Sequence, residues 1–184
     1  MSRPALLLID IQNDYFPGGN WEVHEMEAAA IQAAEALKAA RAAGAPVIHI
    51  RHEASNPAVP FFQPGTTGAE IHTSVAPAPG EPVILKHRPN AFLGTDLADR
   101  LADIAPDRLL IAGAMSQMCI DATTRAAADL GHQVTVLHDA CAAKAQSFGS
   151  TNVPAPMVHA AIMAALGGTY AEVLTSHEVI SRYL

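Results

Sequence analysis

The sequence has few cysteines and no long apolar run. Only two of its 184 residues are cysteines, Cys119 and Cys141, which are too few for a disulfide framework. In a reducing compartment we expect both to be free thiols. No apolar segment approaches the roughly 20 residues of a transmembrane helix, and no signal-peptide cleavage pattern follows the short apolar run at residues 5–9. We therefore expect a cytoplasmic protein.

Basic residues are also scarce, with 11 Lys and Arg against 18 Asp and Glu and a formal net charge of -7. This charge argues against binding to nucleic acid or to an anionic membrane surface, because both carry negative charge themselves. The glycine-rich phosphate turns of the GxGxxG and Walker kinds are absent too. We expect a small-molecule partner and no cofactor.

Apolar and charged segments alternate in a way that predicts one α/β domain over residues 1–184. Short apolar runs predict six strands, at residues 5–9, 46–50, 83–85, 108–112, 134–137 and 170–174. Helical periodicity predicts helices between them, at residues 25–43, 95–101, 116–130 and 157–166. Strands alternating with helices predict a three-layer fold, with an open, mostly parallel six-stranded sheet and helices on both faces.

The most informative segment is residues 113–131, between two predicted strands. Ser116 is a candidate helix N-cap and Gly131 a candidate C′ residue, which would place Cys119 in the first helical turn, just past the carboxyl end of a strand. Unpaired amides and the helix dipole at that position lower a thiol's pKa and favour a nucleophile. The alternative is structural, since cysteine often packs as a small buried hydrophobe.

Asp10 and Lys86 also follow predicted strands directly. Each has an ordinary interpretation, as a turn-capping carboxylate and as a solvated lysine. Open parallel sheets, however, bind ligands beyond the carboxyl ends of their strands, where these two residues and Cys119 would converge. Together they would form a nucleophilic hydrolase, in which Asp10 removes the thiol proton and Lys86 stabilises the thiolate.

Loops at the same edge contribute aromatic and apolar side chains. The segment at residues 55–80 is rich in proline and glycine and long enough to predict a functional loop, whereas Asp14 is interpreted as a carboxylate that caps a turn. The candidate walls of a substrate pocket are Tyr15, Trp21, Phe61, Phe62, Phe92 and Met118.

Several motifs resemble those of the isochorismatase-like cysteine hydrolases, which include nicotinamidases and N-carbamoylsarcosine amidohydrolase. They are Leu-Leu-Leu-Ile-Asp-Ile-Gln-Asn-Asp at residues 6–14, Lys86 followed by Asn-Ala-Phe-Leu-Gly-Thr at residues 90–95, residues 113–128, and Asp139-Ala140. The resemblance implies a catalytic triad of Cys119, Asp10 and Lys86. It also implies a cis peptide bond between Ala114 and Met115, an oxyanion hole formed by the amides of Met115 and Cys119, and a homo-oligomer, either a dimer or a tetramer.

The resemblance further implies hydrolysis of a small-molecule C–N bond, in an amide or ureido group, through a thioester. Nicotinamidase activity is an alternative, but Arg51 and His52 stand where metal-dependent relatives carry an Asp-x-His motif. Scattered histidines such as His52 and His72 are weak evidence for a metal, so we predict no metal site. Two further alternatives are an isochorismatase-type vinyl ether hydrolase, whose relatives commonly lack the cysteine, and a non-catalytic, flavodoxin-like ligand-binding module.

The sequence predicts that a strong chelator leaves activity unchanged, because Arg51 is always protonated and cannot coordinate a metal ion. Turnover of an active amide should be measured before and after prolonged incubation with the chelator. Inactivation that added zinc, iron or manganese reverses would contradict the prediction.

Overall fold

The computed structural model describes residues 3–184, and its centre is a six-stranded parallel sheet. The strands of the sheet are β1 (Pro4–Ile9), β2 (Val47–His52), β3 (Val83–Lys86), β4 (Arg108–Ala114), β5 (Val134–Ala142) and β8 (Glu172–Leu174). Two short strands between the last two form a separate antiparallel hairpin, β6 (Gln146–Phe148) and β7 (Thr151–Val153). The order across the sheet is β3-β2-β1-β4-β5-β8, and all pairs are parallel.

Five α-helices cover the two faces of the sheet. They are α1 (Met26–Ala42), α2 (Leu97–Ile104), α3 (Asp121–Asp129), α4 (Ala155–Gly167) and α5 (Ser176–Tyr183). Helices α1 and α5 contribute to one core, and α2, α3 and α4 contribute to the other. Within residues 3–184, no helix combines the length and apolar character needed to cross a membrane.

Strand β1 shows why this chain forms a three-layer fold. Its residues are buried without interruption, with Leu6 and Leu8 in the core under α1, and Leu7 and Ile9 in the opposite core. A strand whose side chains are apolar on both faces can bury them only between two layers of helices. The predicted three-layer α/β fold and its six strands are therefore confirmed.

Most predicted elements are present, but several bounds differ. β2 continues through His52, and β3 includes Lys86, because pairing in the sheet extends past the apolar runs. The hairpin of β6 and β7, and α5, did not emerge from the apolar pattern. Gly131 follows α3 with a φ of 91°, as expected for a C′ glycine.

The prediction that Ser116 is a helix N-cap is wrong, because helical backbone already includes Ser116. Residues Ser116–Ile120 form a π-helical turn, and α3 begins only at Asp121. The Ser116 hydroxyl does not cap this turn; it donates to the carbonyl of Ala142 and lies 2.9 Å from Nδ1 of His159. These bonds connect the turn to β5 and α4 instead. Single π-turns of this kind are frequent at functional sites.

The order of the strands defines where a ligand can bind. From β1 the chain builds outward through β2 and β3 on one side, and it returns to β4 on the other. In such sheets the reversal leaves a crevice beyond the carboxyl ends of the two central strands. Asp10 follows β1 and Cys119 lies five residues beyond β4, so both lie at this reversal.

A charged cluster connects the last turn of α1 to β2 and to the segment that leads into β3. Glu81 accepts two hydrogen bonds of 2.7 Å from Arg41, one from the amide of Ala78, and lies 2.9 Å from Nε2 of His49. The bonds from Arg41 are the main reason that the pKa of Glu81 falls to about 2. The cluster joins α1, β2 and the segment leading into β3.

We expect Glu81→Gln to lower the free energy of unfolding at pH 7 by about 2 kcal/mol, because charged hydrogen bonds are lost. The ordinary pKa of a Glu carboxyl is 4.5, and the folded pKa of Glu81 is about 2. The carboxylate therefore stabilises the protein fully at pH values above 4.5, and this contribution disappears as the pH falls toward 2. Urea unfolding at pH 7 and at acidic pH measures the difference from wild type, which should shrink at acidic pH. Glu35→Gln, an exposed carboxylate on α1, is the matched control. A difference that stays constant with pH would contradict the assignment.

Candidate active site

Asp10 begins the site, at the first position beyond β1. It is completely buried and has a φ of 53°, a left-handed conformation that is uncommon for a residue other than glycine. Its amide donates to the carbonyl of Ile50 on β2. On the other side, Gly113 of β4 lies so close to the Ile9 carbonyl that a Cβ atom would overlap it. The backbone around Asp10 is thereby fixed by both neighbouring strands.

Lys86 reaches Asp10 from two strands away. It is the last residue of β3, and its side chain extends past the end of β2. Its Nζ atom lies 2.6 Å from Oδ2 of Asp10 and 3.3 Å from Sγ of Cys119. Neither the lysine nor the aspartate side chain is exposed to solvent. A single ammonium group therefore contacts both a carboxylate and a thiol within the protein interior.

Cys119 occupies the π-helical turn and is only 5% exposed. The sequence predicts a thiol pKa lowered by a helix N-terminus, and the structure corrects this. Burial raises the pKa of Cys119 well above its ordinary value, and the nearby Asp10 carboxylate raises it further, whereas Lys86 acts in the opposite direction. Without substrate the thiol is therefore protonated at neutral pH. Cys141 is also a free, buried thiol, as predicted.

Neighbouring groups in the site shift the pKa values of Lys86 and Tyr15. Burial by itself would lower the pKa of Lys86, but attraction to Asp10 and the hydrogen bonds to Asp10 and Cys119 outweigh this and raise it. Tyr15 is buried near the same charges, and its pKa is raised well above the ordinary value, first by burial and then by Cys119, Asp10 and Asp14. The site thus contains a charged lysine and a neutral tyrosine at neutral pH.

Four of the six predicted pocket residues form one aromatic cluster. Ring centroids lie 4.6 Å apart for Tyr15 and Phe62, 4.7 Å for Trp21 and Phe61, and 5.3 Å for Phe61 and Phe62. Phe92 does not join them and stacks instead against His132, at 6.2 Å. Met118 is 43% exposed and lies beside Cys119 in the π-helical turn.

The aromatic cluster is positioned by hydrogen bonds between two loops. As predicted, Asp14 holds loop backbone: it accepts from the amides of Phe62, at 2.6 Å, and Asn20, at 3.1 Å. Gln12 donates to the carbonyls of Ala69 and His52. Gly68 lies against the Asp14 carboxylate with no room for a Cβ atom. The long segment at residues 55–80 is thereby fixed onto the residues that follow Asp10.

The histidines that could have indicated a metal are engaged elsewhere. Nδ1 of His52 lies 3.0 Å from Nζ of Lys86, and His72 stacks on Phe16 and caps a turn through Ser74. Arg51 pairs with Glu53 at 2.7 Å. An ammonium group beside His52 would repel a metal cation. Within residues 3–184, no three or more His, Cys, Asp or Glu side chains form a group that could hold a metal ion.

Sequence reasoning missed the contact between His52 and Lys86. The contact depends on strand register, because the two residues are partners at the ends of β2 and β3. The predicted β2 ends two residues too early, at Ile50, which puts His52 in a loop, whereas the strand continues through His52. The backbone that leads into the π-helical turn has a cis peptide bond between Ala114 and Met115.

Comparison with known proteins identifies the family. A model of the isochorismatase domain matches residues 4–176. The uncharacterized isochorismatase family protein YddQ of Bacillus subtilis is 48% identical over 172 residues, or 94% of this chain and 96% of YddQ. Streptothricin hydrolase of Streptomyces noursei is 38% identical over 167 residues, or 89% of this chain and 65% of that enzyme.

Solved structures and more distant relatives agree. A crystal structure from Oleispira antarctica, assigned to the isochorismatase hydrolases, has a TM-score of 0.94 and 50% identity, and the match covers 98% of this chain and 97% of that one. Maleamate amidohydrolase of Pseudomonas putida and N-carbamoylsarcosine amidase of an Arthrobacter species are each 31% identical, over 151 and 142 residues. The chain therefore belongs to the isochorismatase family and is a hydrolase with amidohydrolases among its relatives.

Proposed function

We propose that the protein is a cysteine amidohydrolase that cleaves the C–N bond of a small amide or ureido compound through a thioester. The observation that carries this proposal is the single buried ammonium group of Lys86, which contacts both Asp10 and Cys119. A base, a nucleophile and a cation in contact are what acyl transfer by a thiol requires. The relatives named as amidohydrolases support the choice of bond.

In the first half of the reaction, Asp10 acts as a general base. Its Oδ2 atom is occupied by Lys86, while Oδ1 is buried and has no hydrogen-bond partner among residues 3–184. Oδ1 takes the thiol proton of Cys119 as Sγ bonds to the substrate carbonyl carbon. The raised thiol pKa makes this transfer necessary, because little thiolate exists beforehand. Lys86 stabilises the negative sulfur as the proton leaves.

The tetrahedral intermediate then collapses to a thioester. We propose that the amides of Met115 and Cys119 donate to the oxyanion, since fixed donors at that position lower the barrier. The C–N bond breaks, and Asp10 returns its proton to the departing nitrogen. Water next attacks the thioester while Asp10 accepts a proton from it. The C–S bond breaks, and Asp10 returns this proton to the sulfur as the acid product leaves, which restores the resting state.

The aromatic cluster supports a small, partly apolar substrate. Phe61 and Trp21 are only partly buried, unlike Tyr15 and Phe62, and so they can contact a ligand that enters from solvent.

The alternative functions are less well supported. A vinyl ether hydrolase does not need the thiol nucleophile, and a metal-dependent nicotinamidase does not fit Arg51 and His52. A purely binding module would not require a buried thiol beside a base and a cation. The cytoplasmic location and the homo-oligomer remain predictions.

We expect Cys119→Ala to lower turnover by at least about 10⁴-fold, because the nucleophile is lost. Cys141→Ala is the matched control: its thiol is also buried, but the groups that act on it are the Gly113 backbone and the Asp139 carboxylate rather than Lys86 and Asp10. We expect its activity to stay within about twofold of wild type, on the scale of ordinary substitutions outside the site. Ammonia release from a panel of small amides measures both variants. Equal losses in the two variants would contradict the assignment of Cys119.

We expect Asp10→Asn to lower the acylation rate by about 10²- to 10⁴-fold with little change in substrate affinity, because an amide keeps the shape but cannot accept the thiol proton. Asp96→Asn, an exposed carboxylate on α2's N-cap, is the control. In wild type, hydroxylamine added during turnover should divert part of the acyl group to a hydroxamate. Near-normal turnover in Asp10→Asn, or no thioester by intact-protein mass after rapid quench, would rule out this mechanism.

A further inference from the structure

The Lys86 ammonium group has three protons and three acceptors. Two of the acceptors are Oδ2 of Asp10, at 2.6 Å, and Sγ of Cys119, at 3.3 Å. The third is Nδ1 of His52, at 3.0 Å. An ammonium group can donate three hydrogen bonds and accept none. His52 thus accepts the third hydrogen bond of the ammonium group. It thereby fixes the direction of the N–H group that neither Asp10 nor Cys119 uses.

The fold fixes His52 in this position. It is the last residue of β2, the strand between β1 and β3, and it is the register partner of Lys86. Its amide donates to Oε1 of Gln12 at 2.8 Å, and its carbonyl accepts from Nε2 of the same side chain at 2.9 Å. Gln12 is completely buried. The backbone of His52 is therefore anchored to Gln12, which lies two residues after Asp10. This anchor gives the imidazole a defined location next to the ammonium group.

The contact also fixes the protonation state of the ring. Because Lys86 only donates, Nδ1 of His52 must carry the lone pair, and the ring proton lies on Nε2. The charged and titratable groups that face His52 are Lys86, Asp10 and His87. Burial, together with repulsion by Lys86, lowers the pKa of His52 to about 4, so the ring is neutral at neutral pH. A neutral acceptor holds the ammonium group without cancelling its charge.

We propose that His52 is a positioning residue that holds the Lys86 ammonium group between the Asp10 carboxylate and the Cys119 sulfur. The inference rests on the proposed function and names the group on which the cation in that mechanism depends. Without the third acceptor, the ammonium group is free to rotate about its side chain and move away from Sγ. The sulfur then loses the one interaction that favours its ionised form.

The test compares three substitutions that differ in where they offer an acceptor. His52→Phe keeps a ring beside Phe62 but has no acceptor. His52→Asn places a side-chain oxygen near the position of Nδ1, whereas His52→Gln places its amide near Nε2. Iodoacetamide alkylation of Cys119, followed by peptide mass spectrometry from pH 6 to 10, reports thiolate formation without any substrate. Steady-state kcat and KM on an active amide are measured in parallel, and thermal unfolding checks that each variant is folded.

We expect His52→Phe to slow alkylation of Cys119 about tenfold at each pH between 6 and 10, which corresponds to a Cys119 pKa raised by about one unit. The value of kcat should fall by a similar factor while KM changes little. His52→Asn should restore most of both rates, and His52→Gln should not. If His52→Phe fails to fold, the comparison of Asn with Gln still decides.

Two results would overturn the proposal. One is an alkylation profile that is unchanged in His52→Phe, or equal in the Asn and Gln variants. The other is rescue by Gln but not by Asn, which would assign the Nε2 side of the ring to the substrate. Failure of the proposed function is a separate result: turnover that survives in Cys119→Ala refutes thioester chemistry, while the alkylation profiles still measure the coupling between Lys86 and Cys119.

Discussion

The buried ion pair between Lys86 and Asp10 is the interaction on which this site depends. Two charges without solvent are costly unless geometry and further hydrogen bonds compensate them. The compensation depends on three neighbouring strands, because Asp10 directly follows β1, Lys86 ends β3, and the acceptor His52 ends β2 between them. Such a pair requires β1, β2 and β3 to lie side by side in the sheet. The chemistry of the site is thus tied directly to the order of the strands.

Burial has opposite effects on the thiol and on the ammonium group that contacts it. It raises the pKa of Cys119, so the thiol rests protonated, while attraction to Asp10 keeps Lys86 charged despite its own desolvation. This combination explains why a base beside the thiol is part of the proposal. A nucleophile already ionised by a helix N-terminus would not need one. The sequence predicts a thiol pKa lowered by a helix N-terminus, whereas burial in the π-helical turn raises it.

The long segment between β2 and β3 shows how the substrate side of the site is assembled. It has few periodic features of its own, yet it is fixed by Asp14 and Gln12, which lie within four residues of Asp10. The same short stretch after β1 therefore supplies the proposed base and anchors the loop that carries Phe61 and Phe62. Gln12 anchors His52 as well. A change in this stretch would affect the base, the cation and the aromatic cluster together.

The sequence by itself determined the fold class, the six strands, and the positions of Asp10, Lys86 and Cys119 near strand ends, because continuous apolar runs and the residues that follow them are local features. Only the tertiary structure decided the rest. Pairing and packing between distant segments decide three features: the position of Phe92 apart from the other aromatics, the contact of His52 with Lys86, and the π-helical turn that contains Cys119. The raised pKa of Cys119 likewise reflects burial, which no local pattern encodes.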